Sequence, residues 1–235
     1  MGEQRLSPLL RGFFVKIDGL REPEHAVAAI GAGADAIGFI FAPARRRVTS
    51  ETAVACLAAA RAAHPEREFL AVGVFVDAPA SEIAKEVARS GLDLVQLHGN
   101  EPPELIDDLP VAAIKVFRPL PGTAPDALLA ELDQFLRAPR PPAVFLIDGY
   151  AAGSSGGSGV RADWDLAAEI ASERPVILGG GLDPENVAGA IRRVRPFGVD
   201  VSSGVEVGGV KDTARIEAFI RAARSAFRDA EATQG

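Results

Sequence analysis

Two aspartates each follow a short apolar run, a placement that suits acid–base chemistry. Asp18 comes directly after residues 13–17, and Asp148 comes directly after residues 143–147. A carboxylate at the end of a strand is often only a turn or cap residue, because its oxygens accept neighbouring backbone N–H groups. Two such carboxylates at the ends of different strands shift the interpretation toward a paired general acid and general base.

Two small-residue turns near the end of the chain indicate a binding site for an anion. Gly179, Gly180 and Gly181 follow one apolar run, and Ser202, Ser203 and Gly204 follow the next. Glycine lets backbone N–H groups approach an anion closely, serine hydroxyls add donors, and the helix that follows adds the positive end of its dipole. One glycine turn would be a weak signal, but two on consecutive strands predict a phosphate site.

Further polar residues at strand ends are candidates for binding a substrate. Residues 45–47 form the only short basic cluster, Arg-Arg-Arg. One or two of these arginines fit a solvated loop, and at least one is expected to reach inward to a substrate carboxylate. Gln96 and His98 end another run, where His98 is either a donor to a ligand or a polar residue packed at the rim. The Gly/Ser-rich stretch 153–159 is either a linker or, directly behind Asp148, a mobile active-site loop, which we favour.

The elements that must position these residues repeat along the whole chain. Short β-branched runs alternate with Ala-rich segments of helical period in about eight units, which end in a helix over about 212–227. Their apolar residues are consecutive rather than alternating, as in parallel strands buried on both faces. The pattern predicts an α/β protein with a single (β/α)8 TIM barrel, in which functional residues collect at the carboxyl ends of the strands. A doubly wound sheet is the competing fold. The predicted strands cover residues 13–18, 36–41, 70–76, 93–98, 112–117, 143–148, 175–178 and 198–201.

Composition narrows the function classes. Among 235 residues, 25 Lys+Arg against 32 Asp+Glu give a net charge of −7, so nucleic-acid and membrane-surface partners are not expected. The single cysteine, Cys56, is predicted to be a buried inert thiol in a helix capped by Ser50. No apolar run suits a membrane span or a signal peptide, so a cytoplasmic protein is expected. We place a flexible extension at 1–12, the barrel at 13–228 and a tail at 229–235.

The order and content of several motifs resemble a known family. They are Val15-Lys16-Ile17-Asp18-Gly19, residues 33–41, Val95-Gln96-Leu97-His98-Gly99, Gly156-Gly157-Ser158-Gly159 with Asp163-Trp164, residues 180–187 and residues 199–206. Together they resemble phosphoribosylanthranilate isomerase over about residues 15–224. The resemblance implies a (β/α)8 barrel that needs no cofactor and isomerises N-(5′-phosphoribosyl)anthranilate to the 1-deoxyribulose phosphate in tryptophan biosynthesis.

The resemblance also implies roles for individual residues. Asp148 would be the acid, Arg47 would hold the anthranilate carboxylate, and Asp200 would lie near the ribose. Phosphate would be held by Gly180, Gly181, Ser202, Ser203 and Gly204, with Gln96 and His98 as further substrate contacts.

This chain differs from the family at the residue that would act as the base. The family carries a cysteine where this chain has Asp18, and a carboxylate is a weaker base than a thiolate. Two alternatives therefore stay open: an isomerase of a related aminoaldose phosphate, and an impaired barrel that binds a phosphosugar. The expected partner is a small phosphorylated molecule, bound by a monomer or a homodimer.

Overall fold

A computed structural model describes residue 9, residues 13–150 and residues 161–232. Eight parallel strands close into a barrel in sequence order, each paired with the next and β8 paired with β1. This arrangement confirms the (β/α)8 prediction and excludes the doubly wound sheet. The strands are β1 Phe14–Ile17, β2 Ala36–Ile40, β3 Leu70–Phe75, β4 Leu94–Leu97, β5 Ala112–Phe117, β6 Val144–Ile147, β7 Val176–Leu178 and β8 Gly198–Val201.

Six α-helices and a 3₁₀ helix over Pro103–Asp108 connect the described barrel strands, and a seventh α-helix follows the last strand. Two sequence predictions about helix ends were wrong. Thr49 rather than Ser50 is the N-cap of the second helix, because the Thr49 side chain accepts the Thr52 N–H. The last helix runs to Ala232, beyond the predicted 227. The helices are α1 Pro23–Ala32, α2 Ser50–Ala63, α3 Ala80–Ser90, α4 Pro125–Leu136, α5 Trp164–Glu173, α6 Val187–Val194 and α7 Thr213–Ala232.

Side chains alternate between two cores along each strand. In β1, Phe14 joins the cluster that fills the barrel, whereas Val15 and Ile17 join the cluster between strands and helices. Because successive side chains point to opposite faces, Lys16 and the following Asp18 share the inward side with Phe14. Leu9, within the predicted flexible extension, is buried and packs against the inner cluster, so that residue belongs to the core.

A small hairpin follows β8 on the functional side of the barrel. It pairs β9 (Glu206–Val207) with β10 (Val210–Lys211) in antiparallel register. Gly208 and Gly209 form its two-residue turn with φ of 59° and 83°, which side chains disfavour and the right-handed twist of a tight hairpin requires. The register sets Glu206 directly opposite Lys211.

Within the described ranges, no helix is both long and apolar enough to cross a membrane.

Candidate active site

The β1 end carries Asp18 in a buried charged cluster. Lys16, fully buried, lies 3.0 Å from Asp18 Oδ2 and donates a 2.9 Å hydrogen bond to Asp200 Oδ1. Lys16 and Asp200 are register partners on adjacent strands, so the closure of β8 against β1 brings them together. One ammonium group therefore bridges two inward-facing carboxylates, and the predicted ribose neighbour Asp200 already has one oxygen engaged.

Burial and charge act on this cluster in opposite directions. Burial alone would lower the pKa of Lys16, but Asp18 and Asp200 outweigh it and raise that pKa above its usual 10.5. Burial raises the pKa of Asp200 to about 6, and Lys16 only partly opposes the shift. The β1–β8 side of the barrel thus holds an ammonium ion beside two carboxyl groups in a dry interior.

Gly38 on β2 makes room for the Asp18 carboxylate. A Cβ atom at position 38 would lie 1.7 Å from Asp18 Oδ1, a distance that no side chain tolerates. That oxygen is buried and has no hydrogen-bond partner among the described residues. Asp18 is therefore held through one oxygen, while the other keeps its lone pairs unused, as expected of a group that accepts a proton.

The β6 end holds Asp148 through a backbone N–H group and an imidazole. Its Oδ1 accepts the Gly149 N–H at 2.8 Å, and its Oδ2 lies 3.1 Å from His98 Nε2. Gln96 Nε2 in turn lies 3.1 Å from His98 Nδ1, with Gln96 fully buried. The structure thus joins three of the predicted residues in one chain, Gln96–His98–Asp148, that fixes the direction of the Asp148 carboxyl.

The two predicted phosphate turns touch each other. Gly180 and Gly181 have φ of 78° and 61°, and Asn186 Nδ2 donates to the Gly181 carbonyl at 2.9 Å. A Cβ atom at Gly204 would lie 1.8 Å from the Leu182 carbonyl oxygen, so only glycine lets the second turn approach the first. Within the described part of the chain, the N–H groups of Gly180 and Gly181 make no backbone hydrogen bond. The turns can offer N–H groups to an anion.

Ser202 has partners on both sides of its hydroxyl. The Ser202 hydroxyl donates to the Asp18 carbonyl at 3.2 Å. Lys211 Nζ lies 3.3 Å from the Ser202 hydroxyl oxygen and 2.7 Å from the Ser202 carbonyl oxygen. The Ser202 hydroxyl proton is thus used inside the protein, which leaves backbone N–H groups and the Ser203 hydroxyl as the donors of this turn.

The three arginines of the basic cluster have different surroundings. Arg45 and Arg46 both pair with Glu206, at 2.7 Å and 2.5 Å, and Arg46 is buried. Arg47 is exposed and has no ion-pair partner among the described residues. Arg47 lines a groove of about 790 Å³ that also contacts Phe41 and Phe75, whose rings stack at 5.3 Å.

Lys16, Gly38, Glu206 and Lys211 are site residues that sequence reasoning missed. Lys16 carried a signal, because a lysine inside an otherwise apolar buried strand needs a buried counter-charge. Glu206 and Lys211 carried none, since their neighbours come from distant loops.

Comparison with known proteins identifies the family of the chain. The family model described as N-(5′-phosphoribosyl)anthranilate (PRA) isomerase matches residues 15–222. The chain belongs to this family. A curated PRA isomerase of Roseiflexus sp. (strain RS-1) is 46% identical over 215 residues, which cover 90% of this chain and 98% of that protein.

Solved PRA isomerases share the fold. The crystal structure from Thermus thermophilus has a TM-score of 0.75 at 33% identity and covers 91% of this chain and 99% of its own. A PRA isomerase in complex with reduced 1-(o-carboxyphenylamino)-1-deoxyribulose 5-phosphate has a TM-score of 0.71 at 33% identity, with the same coverage. The ligand of that neighbour carries a phosphate group.

Three further points concern Cys56, the loop 153–159 and metal ligands. Cys56 is fully buried in α2, and burial raises the pKa of its thiol to about 11, so it is an inert packing residue as predicted. The predicted mobile loop 153–159 lies outside the described residues. Among the residues that are described, no three His, Cys, Asp or Glu side chains form a metal-binding group.

Proposed function

We propose that this PRA isomerase converts N-(5′-phosphoribosyl)anthranilate to 1-(2-carboxyphenylamino)-1-deoxyribulose 5-phosphate with Asp148 as general acid and Asp18 as general base. The observation that carries the proposal is the pair of inward-facing carboxyls at the ends of β6 and β1, held in two different ways. The reaction needs both: one group gives a proton to the furanose ring oxygen, and another removes the proton on C2′.

The acid step falls to Asp148. Protonation of the ring oxygen lets its bond to C1′ break, while the lone pair of the anthranilate nitrogen forms the C1′=N⁺ bond of an iminium ion. Because Gly149 N–H and His98 fix both oxygens of Asp148, its carboxyl has one orientation toward the barrel axis. His98 is thus proposed to direct the acid, with Gln96 holding the imidazole from behind.

The base step falls to Asp18. Removal of the C2′ proton gives an enolamine, which tautomerises to the ketone. The unpartnered Oδ1 of Asp18 is the acceptor, and Lys16 holds Oδ2. Asp18 would then be the general base at the position where the resemblance implies a cysteine.

The two ends of the substrate match two separate sites. The exposed guanidinium of Arg47, at the end of the loop after β2, suits the anthranilate carboxylate, because a guanidinium group can donate two parallel hydrogen bonds to a carboxylate. The adjoining turns at Gly180–Gly181 and Ser203–Gly204 suit a phosphate held by backbone N–H groups, which explains how an acidic protein binds an anion.

The test is turnover of freshly prepared N-(5′-phosphoribosyl)anthranilate, followed by the loss of its fluorescence. Asp148→Asn and Asp18→Asn should each lower kcat by about 10²–10⁴-fold, the usual contribution of one acid or base. Asp133→Asn, which changes only the ion pair of Asp133 with Arg174 between α4 and α5, is the matched control and should keep wild-type turnover.

Two outcomes would contradict the proposal. Wild-type turnover in Asp148→Asn would remove Asp148 from the acid role. An inactive wild type whose Asp18→Cys variant turns over the substrate would mean that the native substrate is a different aminoaldose phosphate.

A further inference from the structure

Glu206 lies at the centre of a cluster of three cations on the functional side of the barrel. Its carboxylate is 94% buried and contacts Arg46 Nε at 2.5 Å and Nη2 at 3.1 Å, Arg45 Nη2 at 2.7 Å, and Lys211 Nζ at 3.3 Å. Its neighbours therefore come from the loop after β2 and from the partner strand of its own hairpin. We call Glu206, Arg45, Arg46 and Lys211 the Glu206 cluster.

The Glu206 cluster explains why Arg47 is the arginine left for a substrate. The guanidinium groups of Arg45 and Arg46 are both paired with Glu206. Arg45 Nη1 also donates to the Gly209 carbonyl of the hairpin turn at 2.8 Å. With Arg45 and Arg46 anchored on the hairpin, the loop after β2 has a fixed position at the end that carries Arg47. A Cβ atom at Gly209 would lie 2.2 Å from Arg45 Nη1, so the anchoring contact is close-packed.

The same cluster reaches the phosphate turn and the base. Lys211 donates to the Ser202 carbonyl at 2.7 Å, and the Ser202 hydroxyl donates to the Asp18 carbonyl at 3.2 Å. The Arg46 side chain also packs beside Gly19, where a Cβ atom would lie 2.8 Å from Arg46 Cδ. Glu206 is thus the shared anchor of the Arg47 loop, the Ser202 turn and the end of β1.

We propose that Glu206 is a positioning residue that fixes the distance between the Arg47 site and the phosphate turn, so that one substrate spans both. The inference rests on the proposed function for the identity of the two substrate ends. A carboxylate that serves two loops at once makes their contributions to binding interdependent, whereas a residue that only stabilises the fold does not.

The experiment is a double-mutant cycle with Glu206→Gln and Arg47→Leu. The measured quantities are KM and kcat for N-(5′-phosphoribosyl)anthranilate and the Kd of reduced 1-(o-carboxyphenylamino)-1-deoxyribulose 5-phosphate. We expect Glu206→Gln to raise KM and Kd about tenfold with kcat within about threefold, as for loss of pre-organisation. Arg47→Leu should then weaken binding about tenfold or more in the wild type but only about twofold in Glu206→Gln.

Controls separate this proposal from the proposed function. Asp133→Asn should leave both constants unchanged, and Glu206→Asp should restore part of the lost affinity. If the wild type binds the reduced compound but does not turn over the substrate, the proposed reaction is wrong. The Kd values of the reduced compound still measure the coupling between Glu206→Gln and Arg47→Leu. Additive effects of Glu206→Gln and Arg47→Leu, or a loss in kcat with unchanged KM and Kd, would overturn the positioning role.

Discussion

The two carboxyl groups at the centre of the site are supported by different chemistry. Asp18 shares a buried ammonium with Asp200, and a second buried lysine, Lys211, lies behind it at Ser202. Asp148 is held by a backbone N–H and by His98, with the neutral amide of Gln96 behind it. We call these the charged side, on β1 and β8, and the neutral side, on β4 and β6.

This difference fits the roles proposed for the two groups. A base that works as a carboxylate in a dry barrel needs a fixed counter-charge, because an unpaired buried charge is costly. The proposed acid is held by a backbone N–H group and an imidazole rather than by the ammonium group of a lysine. The charged side should therefore be sensitive to the loss of a charge, and the neutral side only to the loss of a hydrogen bond.

The largest expected effect is the loss of the shared ammonium. Lys16→Met leaves two buried carboxylates without a counter-charge and should lower the free energy of unfolding by about 3–5 kcal/mol. Gln96→Leu, a change of similar size on the neutral side, leaves only His98 Nδ1 without its partner and should cost about 1–2 kcal/mol. Urea denaturation of both variants gives the comparison. Equal losses would mean that the two sides are not supported differently.

The next effect comes from the space that Asp18 occupies. Gly38→Ala sets a methyl group against Asp18 Oδ1 and should cost about 1–3 kcal/mol of stability through overpacking. Turnover should fall as well, because the base is displaced from its position beside Lys16. The matched control is Gly189→Ala in α6, where a Cβ atom meets nothing within 4 Å. That variant should gain up to about 1 kcal/mol and keep wild-type kcat. Unchanged turnover in Gly38→Ala would show that Asp18 needs no such space.

The sequence predicts the barrel well because strands that are buried on both faces are apolar at consecutive positions. A run such as residues 70–76 is apolar at every position, and the structure has β3 at Leu70–Phe75. The candidate site residues were also visible, because strand ends are where a barrel collects polar groups. Asp18, Asp148 and the two glycine turns were found for this reason.

The partners of those residues were not predictable, because they meet only when the barrel closes. Lys16 and Asp200 are 184 residues apart, and Arg46 and Glu206 are 160 residues apart. No local pattern links them, and period-two alternation shows only that Lys16 faces inward. The Thr49 cap was missed for a smaller reason, since Thr49 and Ser50 are adjacent and either can cap a helix.

The last expected effect is a pH dependence that belongs to the charged side alone. Burial, helped by Arg46 and opposed by Glu206, lowers the pKa of Lys211 from 10.5 to about 8. Between these values the unfolded chain binds more protons than the folded one, so this lysine makes stability rise with pH. Relative to Lys211→Met, the wild type should gain on the order of 1–3 kcal/mol from pH 8 to pH 10.5 by urea denaturation. Relative to Gln96→Leu it should gain nothing, because that substitution removes no titrating group. A wild-type stability that stays parallel to that of Lys211→Met across this window would mean that Lys211 is not held as a strained buried cation, and the charged side would then reduce to Lys16 and its two carboxylates.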